Sequence, residues 1–138
     1  MGSRSLIILD THVLIWLDEG NNRLGKITKN EIDAALAKNE LAVSAISFRE
    51  VAMLVQKRRI ELSADIDVWR KELLGFGLKE IPVSGSIGIM ASQLTNFHGD
   101  PADRIIMATA LKTSGLLLTA DKKIIGWGPG LHCKDASI

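Results

Sequence analysis

The chain has 138 residues, 46% hydrophobic and 24% charged, with 17 basic against 16 acidic residues for a net charge of +1. That is the length of a single domain, here 1–138, with core enough to need no disulfide staples, and the composition excludes disordered and collagen-like chains. So even a charge balance names no partner for the chain as a whole.

The longest apolar runs, Leu6–Leu9 and Gly115–Leu118, are far too short to span a bilayer, and no basic-then-apolar leader opens the chain, so no membrane association is expected. The single cysteine, Cys133, excludes a disulfide framework and a thiolate metal site and fits a reducing cytoplasm. Met1–Ser5 are compatible with a partial expression remnant. Leu6-Ile7-Ile8-Leu9, ended by Asp10, reads as a buried parallel strand. Thr28-x-x-Glu31 is a capping box ahead of Ile32, Ala35 and Leu36, and predicts a helix. Leu41-Ala42-Val43 is a second strand, followed by a second capping box, Ser47-x-x-Glu50, and the helical spacing of Val51, Leu54 and Val55. Ile66, Trp69, Leu73 and Leu74 mark a helix stopped by Gly75 and Gly77. Lys79–Val83 is a weaker strand, and Ile87, Met90, Ala91 and Leu94 share a helical face. Asp100-Pro101 opens a helix that is apolar nearly all round, and is therefore expected at the centre. Leu116–Leu118 predicts a fourth strand and Leu131–Cys133 a fifth. Strands alternating with helices imply a three-layer α/β/α fold around a short parallel sheet of four to five strands, with its working site outside the carboxyl ends of the strands.

Acidic residues punctuate those ends. Asp10 follows the first strand, Glu50 lies near the start of the next helix, Asp103 is in the first turn of the apolar helix, and Asp121 comes just after the fourth strand. Each has a purely structural reading: Glu50 completes a capping box, Asp100 is an N-cap, Asp103 favours the helix dipole, Asp121 caps a short helix and Asp10 begins a turn. Gathered at one sheet edge they would repel one another and raise their own pKa values, unless a divalent cation neutralised them. All-oxygen ligation selects Mg²⁺ or Mn²⁺ and phosphoryl chemistry. Phosphate-cradling glycine loops and nucleophile elbows are missing from the sequence. His12, His98 and His132 are scattered and read as structural; Trp16, Trp69 and Trp127 read as core rather than as a stacking platform.

Four blocks then carry a resemblance: Leu9-Asp10-Thr11-His12-Val13-Leu14-Ile15-Trp16, Val43–Val51, His98–Ala110 with its Asp100-Pro101-Ala102-Asp103-Arg104 core, and Leu118-Thr119-Ala120-Asp121. In order and spacing the chain resembles PIN-domain ribonucleases, specifically VapC-type toxins of bacterial toxin–antitoxin pairs. The resemblance implies a catalytic and metal-holding quartet of Asp10, Glu50, Asp103 and Asp121, supported by Asp100 and Thr119, with one or two Mg²⁺ or Mn²⁺ ions. It implies hydrolysis of RNA phosphodiesters to 5′-phosphate and 3′-hydroxyl ends. Ala102 departs from the Phe common in relatives, which removes an apolar contact and touches no ligand. Arg104, Lys122 and Lys123 are candidate phosphate contacts, while Lys57-Arg58-Arg59 reads equally well as a solvated helix end.

Two other classes stay open at this point. One is a PIN-fold RNA- or protein-binding module without catalysis, against which the full set of acids argues. The other is an aspartyl phosphohydrolase, which wants a second Asp where His12 stands. Apolar helix positions (Ile32, Leu36, Val51, Leu54, Val55, Trp69) look more numerous than a short sheet can cover, which predicts a homodimer, as the resemblance also does. The resemblance further implies a cognate VapB-type antitoxin. Val51, Leu54 and Val55, with Ile32 and Leu36, would offer it a groove, and an antitoxin arginine would enter the carboxylate cluster.

Overall fold

The computed structural model describes residues 6–128 and 130–138; Met1–Ser5 lie outside the described residues. Five parallel strands form the sheet: β1 (Ile7–Leu9), β2 (Leu41–Ser44), β3 (Lys79–Ile81), β4 (Leu116–Thr119) and β5 (Cys133–Asp135), in the order β3-β2-β1-β4-β5. Ile7, Ile8 and Leu9 pair in register with Leu41, Ala42 and Val43 on one side and with Leu116, Leu117 and Leu118 on the other. The chain thus builds outward from β1 to β3, then reverses and adds β4 and β5 across it. That reversal leaves a crevice between β1 and β4 at the carboxyl edge, where open α/β sheets bind ligands.

The two-residue period of the strands divides the core into layers. Ile7, Leu9, Leu41, Val43 and Leu118 face one side, with α1 (Thr11–Glu19), α2 (Lys26–Ala37), α3 (Ile46–Gln56) and α4 (Ile66–Gly75). Ile8, Ala42 and Leu117 face the other, against Ile106, Met107 and Ala110 of α6 (Pro101–Thr113) and Ile124 of α7 (Lys122–Ile125). Helix α5 (Gly85–Gln93) packs on α6 through Ile87, Ala91 and Ala108. Helix α6 buries Ala102, Ile106, Met107, Ala108, Thr109 and Ala110, the central position expected from its all-round apolar surface. No helix among the described residues is long and apolar enough to cross a membrane.

Three local expectations are corrected. Neither capping box forms. Helix α2 starts at Lys26 behind Gly25, so Thr28 sits one turn in; its N–H and hydroxyl both donate to the Ile138 carbonyl, at 3.0 and 2.8 Å, and Glu31 instead accepts from Lys134 Nζ. Helix α3 starts at Ile46, which puts Ser47 inside it, fully buried, its hydroxyl 2.9 Å from that of Thr11. The fifth strand lies two residues later than predicted, because it is an edge strand whose outward Lys134 gives no hydropathy signal, while Leu131 packs on the core from the preceding loop. Nor is there a surplus of apolar side chains at the positions named for self-association. Ile32 and Val51 are fully buried and Trp69 nearly so, and Leu36, Leu54 and Val55 pack half-buried on the same layer. A sheet with helices on both faces covers more side chains than its strand lengths suggest, and Trp69 meets Phe48 edge-to-face, with ring centroids 6.0 Å apart.

Candidate active site

Asp10 leaves β1 in an extended conformation that makes it the N-cap of α1, and its N–H continues the sheet by donating to Leu118 O at 3.0 Å. Its Oδ1 accepts from the Thr11 N–H at 2.8 Å and its Oδ2 from the Thr119 hydroxyl at 2.7 Å. Thr119 is the last residue of β4, fully buried, and its Oγ1 also accepts from the Asp121 N–H at 3.0 Å. One hydroxyl therefore ties the carboxylate of β1 to the turn after β4, across the crevice where the sheet reverses.

Glu50 comes from the first turns of α3. The Thr11 hydroxyl, 3.1 Å from Glu50 Oε1, donates to it, so the Ser47–Thr11–Glu50 chain joins α1 to α3. From the opposite side α6 brings Asp103, with Pro101 at its first position and Asp100 as N-cap, whose Oδ1 accepts from the Asp103 N–H at 2.8 Å. Asp121 caps α7 through the Lys123 N–H at 2.9 Å. The structural readings of Asp10, Asp100 and Asp121 as caps thus hold together with a shared location. Asp10, Glu50, Asp100, Asp103 and Asp121 line one cavity of about 390 Å³, with His12, Trp16 and Ala120 completing the wall.

No Lys or Arg lines that cavity. The electrostatic consequence is concentrated at Asp103, whose carboxyl is half-buried and accepts no hydrogen bond among the described residues. Burial first, and then the charges of Asp100, Asp10, Asp121 and Glu50, push its pKa up to about 7. Burial also raises Asp10, against the opposing hydrogen bonds from Thr119 and Thr11 and the nearby His12. Glu50 is raised chiefly by burial, then by Asp100 and Asp10, with the Thr11 hydroxyl working the other way. As they stand, no three of the Asp, Glu, His and Cys side chains among the described residues are grouped tightly enough to grip one ion.

The basic residues are placed differently. Arg104, expected at the phosphate, has its guanidinium committed elsewhere: Nε donates to Ala91 O at 2.9 Å, Nη1 to Phe97 O at 2.9 Å and Nη2 to Leu94 O at 2.7 Å. Five donors on a planar fork suit carbonyls that end a helix and line the following loop, so Arg104 fixes the α5–α6 connection and does not line the acidic cavity. Lys122 and Lys123 are exposed in the first turn of α7, beside Asp121 but outside the cavity wall. Lys57, Arg58 and Arg59 are exposed past the end of α3. Sequence reasoning passed over His12 and Trp16 as wall residues. Their signal was their spacing: four residues apart on α1, the helix that Asp10 caps, they share one helix face.

The sequence pattern of the PIN domain family matches residues 7–125. Over 119 residues the chain is 34% identical to Ribonuclease VapC22 of Mycobacterium tuberculosis (strain ATCC 25618 / H37Rv), covering 86% of this chain and 88% of that one. Among solved structures it is similar to VapBC-1 from nontypeable Haemophilus influenzae, with a TM-score of 0.70 and 19% identity over 96% of this chain and 99% of that one. A toxin–antitoxin complex from Klebsiella pneumoniae aligns with a TM-score of 0.61 and 23% identity over 91% of this chain and 94% of that one. At such identities the structural likenesses speak to the fold.

Proposed function

Because the chain belongs to the PIN domain family and is of the VapC type, we propose that it is an endoribonuclease, the toxin of a toxin–antitoxin pair, that hydrolyses RNA phosphodiesters with one or two Mg²⁺ or Mn²⁺ ions. The observation that carries this reading is the cavity onto which five carboxylates open with no Lys or Arg in its lining. The donor set fits a hard cation: every charged ligand is oxygen, and the Asp103 carboxyl has no donor among the described residues to offset its charge. Mg²⁺ keeps several of its waters, and the open spacing of the acids leaves room for some of them to reach the ion through such a water. Asp10, Asp103 and Asp121 would hold the ion, with Glu50 as a further ligand or as the carboxylate that orients water. Such a cation, when bound, lowers the pKa of a water ligand and balances the charge gathering on the attacked phosphate. Thr119 and the Thr11 N–H fix the Asp10 carboxylate in position, and the Thr11 hydroxyl does the same for Glu50. Lys122 and Lys123, exposed and next in sequence to Asp121, would meet the phosphates of the RNA backbone beyond the cleft.

The named relative is a ribonuclease, and the structural neighbours are complexes of toxin with antitoxin. A VapB-type partner and a homodimer belong to the same proposal. Of the groove foreseen for the partner, Ile32 and Val51 are enclosed in the core, and Leu36, Leu54 and Val55 remain half-exposed. Purified protein with RNA and Mg²⁺ provides the test, alongside the same protein in excess EDTA and an Asp10→Asn variant. Cleavage only in the first supports the reading. Full cleavage in EDTA or by the variant removes the mechanism, and binding without cleavage makes the chain a binding module.

A further inference from the structure

Trp16 is a wall between two cavities. One is the acidic cleft; the other, of about 350 Å³, lies between the last turn of α1 and the first turns of α2. Its charged lining consists of Lys26 and Lys29, with no Asp or Glu, in contrast to the five acids on the other side of the indole. The buried Leu24 lies beneath it, and the exposed amides of Asn22 and Asn30 have no hydrogen-bond partner among the described residues. Asn21, by contrast, is occupied in shaping the loop, its Oδ1 accepting from the Arg23 N–H at 2.9 Å. Lys29 makes an exposed i,i+4 pair with Asp33, a contact that yields readily to another anion.

A single-stranded nucleic acid presents flat base faces alternating with anionic phosphates. Proteins that read it combine an aromatic face for stacking, cations for the backbone and free amides for the base edge. This cavity supplies all three at the border of the cleft, and its volume is at the small-ligand end of binding sites. We propose that it is a nucleobase subsite: a base flanking the cleaved bond stacks on Trp16, its edge is read by Asn22 and Asn30, and its phosphate is held by Lys26 and Lys29. The proposal rests on the nuclease reading of the acidic cleft.

Nitrogen-15 NMR of the metal-free protein in EDTA tests it without requiring cleavage. The chain's three tryptophans give three indole signals, and Trp16→Phe assigns one. Titration with the four 5′-mononucleotides is expected to move the Trp16 indole and the Asn22 and Asn30 amides, leaving Trp69 and Trp127 unmoved, with at least fivefold preference for one base. Inorganic phosphate producing the same shifts, or no nucleotide shifting Trp16, overturns the proposal, as does a Trp16 shift produced only by an antitoxin partner. In a cleavage assay on a random-sequence RNA, Asn30→Ala, at an exposed position that leaves the fold intact, is expected to relax base preference at one position beside the cut about fivefold or more. Unchanged preference overturns the subsite. A wild type that cleaves no RNA yet shows the nucleotide shifts retires the nuclease reading while supporting the subsite.

Discussion

Replacing Asp103 by Asn is expected to stabilise the fold at neutral pH while abolishing RNA cleavage. The folded-state pKa of about 7, against 3.8 for the free side chain, means that the folded protein binds the proton more tightly than the unfolded chain. The associated stability is full below pH about 4, shrinks as pH rises through 7, and is gone above it. Three pKa units correspond to about 4 kcal/mol, but the carboxyl is half-exposed, and screening reduces the usable figure to about 1–2 kcal/mol. Asn mimics the protonated form at every pH and so removes that penalty. For 138 residues, an unfolding entropy of about 0.29 kcal/mol/K makes this a Tm increase of about 3–7 °C. Thermal denaturation of both proteins in EDTA across pH 4–8.5 is the assay: the gap should be near zero at the acid end, grow through pH 7 and then level. Adding Mg²⁺ should raise the wild-type Tm, by an amount equivalent to about 2.7 kcal/mol at a hundredfold over Kd, and do much less for the variant. A gap that is independent of pH, or an Asn variant less stable at pH 8, would refute the account of crowded, unpaired charge.

Thr119→Val removes a buried hydrogen bond to a carboxylate and should cost about 2 kcal/mol in denaturant unfolding; with its lowering contact gone, Asp10 titrates higher and the acid limb of the pH–activity profile moves up. Gly25→Ala places a Cβ into the Ile138 backbone, so the tail must lift and the two bonds from Thr28 are lost, at about 2 kcal/mol in the same assay. Arg104→Lys keeps the charge but cannot reach three carbonyls at once; kcat should fall at least tenfold with little change in KM, and a wild-type kcat would show that the α5–α6 connection does not position Asp103.

The acidic quartet could be read ahead of the structure because each acid sits where an apolar run stops or a helix starts, and parallel topology sends all such points to one edge. Asp10 and Asp121 follow strands of near-continuous Leu and Ile, the plainest signal in the chain. What escaped was tertiary. Thr28 and Ser47 have the right spacing for capping boxes, yet Ile138 and Thr11, distant in sequence, claim their hydroxyls. Arg104 beside Asp103 looked like a phosphate contact because nothing local shows that the carbonyls of Ala91, Leu94 and Phe97 curl around it. Trp16 passed for core because one face of it is core; its other role depends on two cavities that no window of sequence can show.

The Thr119–Asp10 bond also sets how the site comes apart. It joins β1 and β4, neighbouring strands in the middle of the sheet whose side chains are nearly all buried, so amide exchange at Asp10 and Asp121 should require opening of the whole sheet. Asp100 and Asp103 sit at the end of a loop held by the Arg104 guanidinium, the Trp127 indole N–H on Thr95 O and the buried Phe97 ring, outside the sheet, and their amides should exchange through a smaller, local opening. The cleft therefore has a fixed wall and a releasable one. Heating short of the global transition would loosen the first turn of α6 and the loop before it, and activity would fade while the β-sheet amides remained protected.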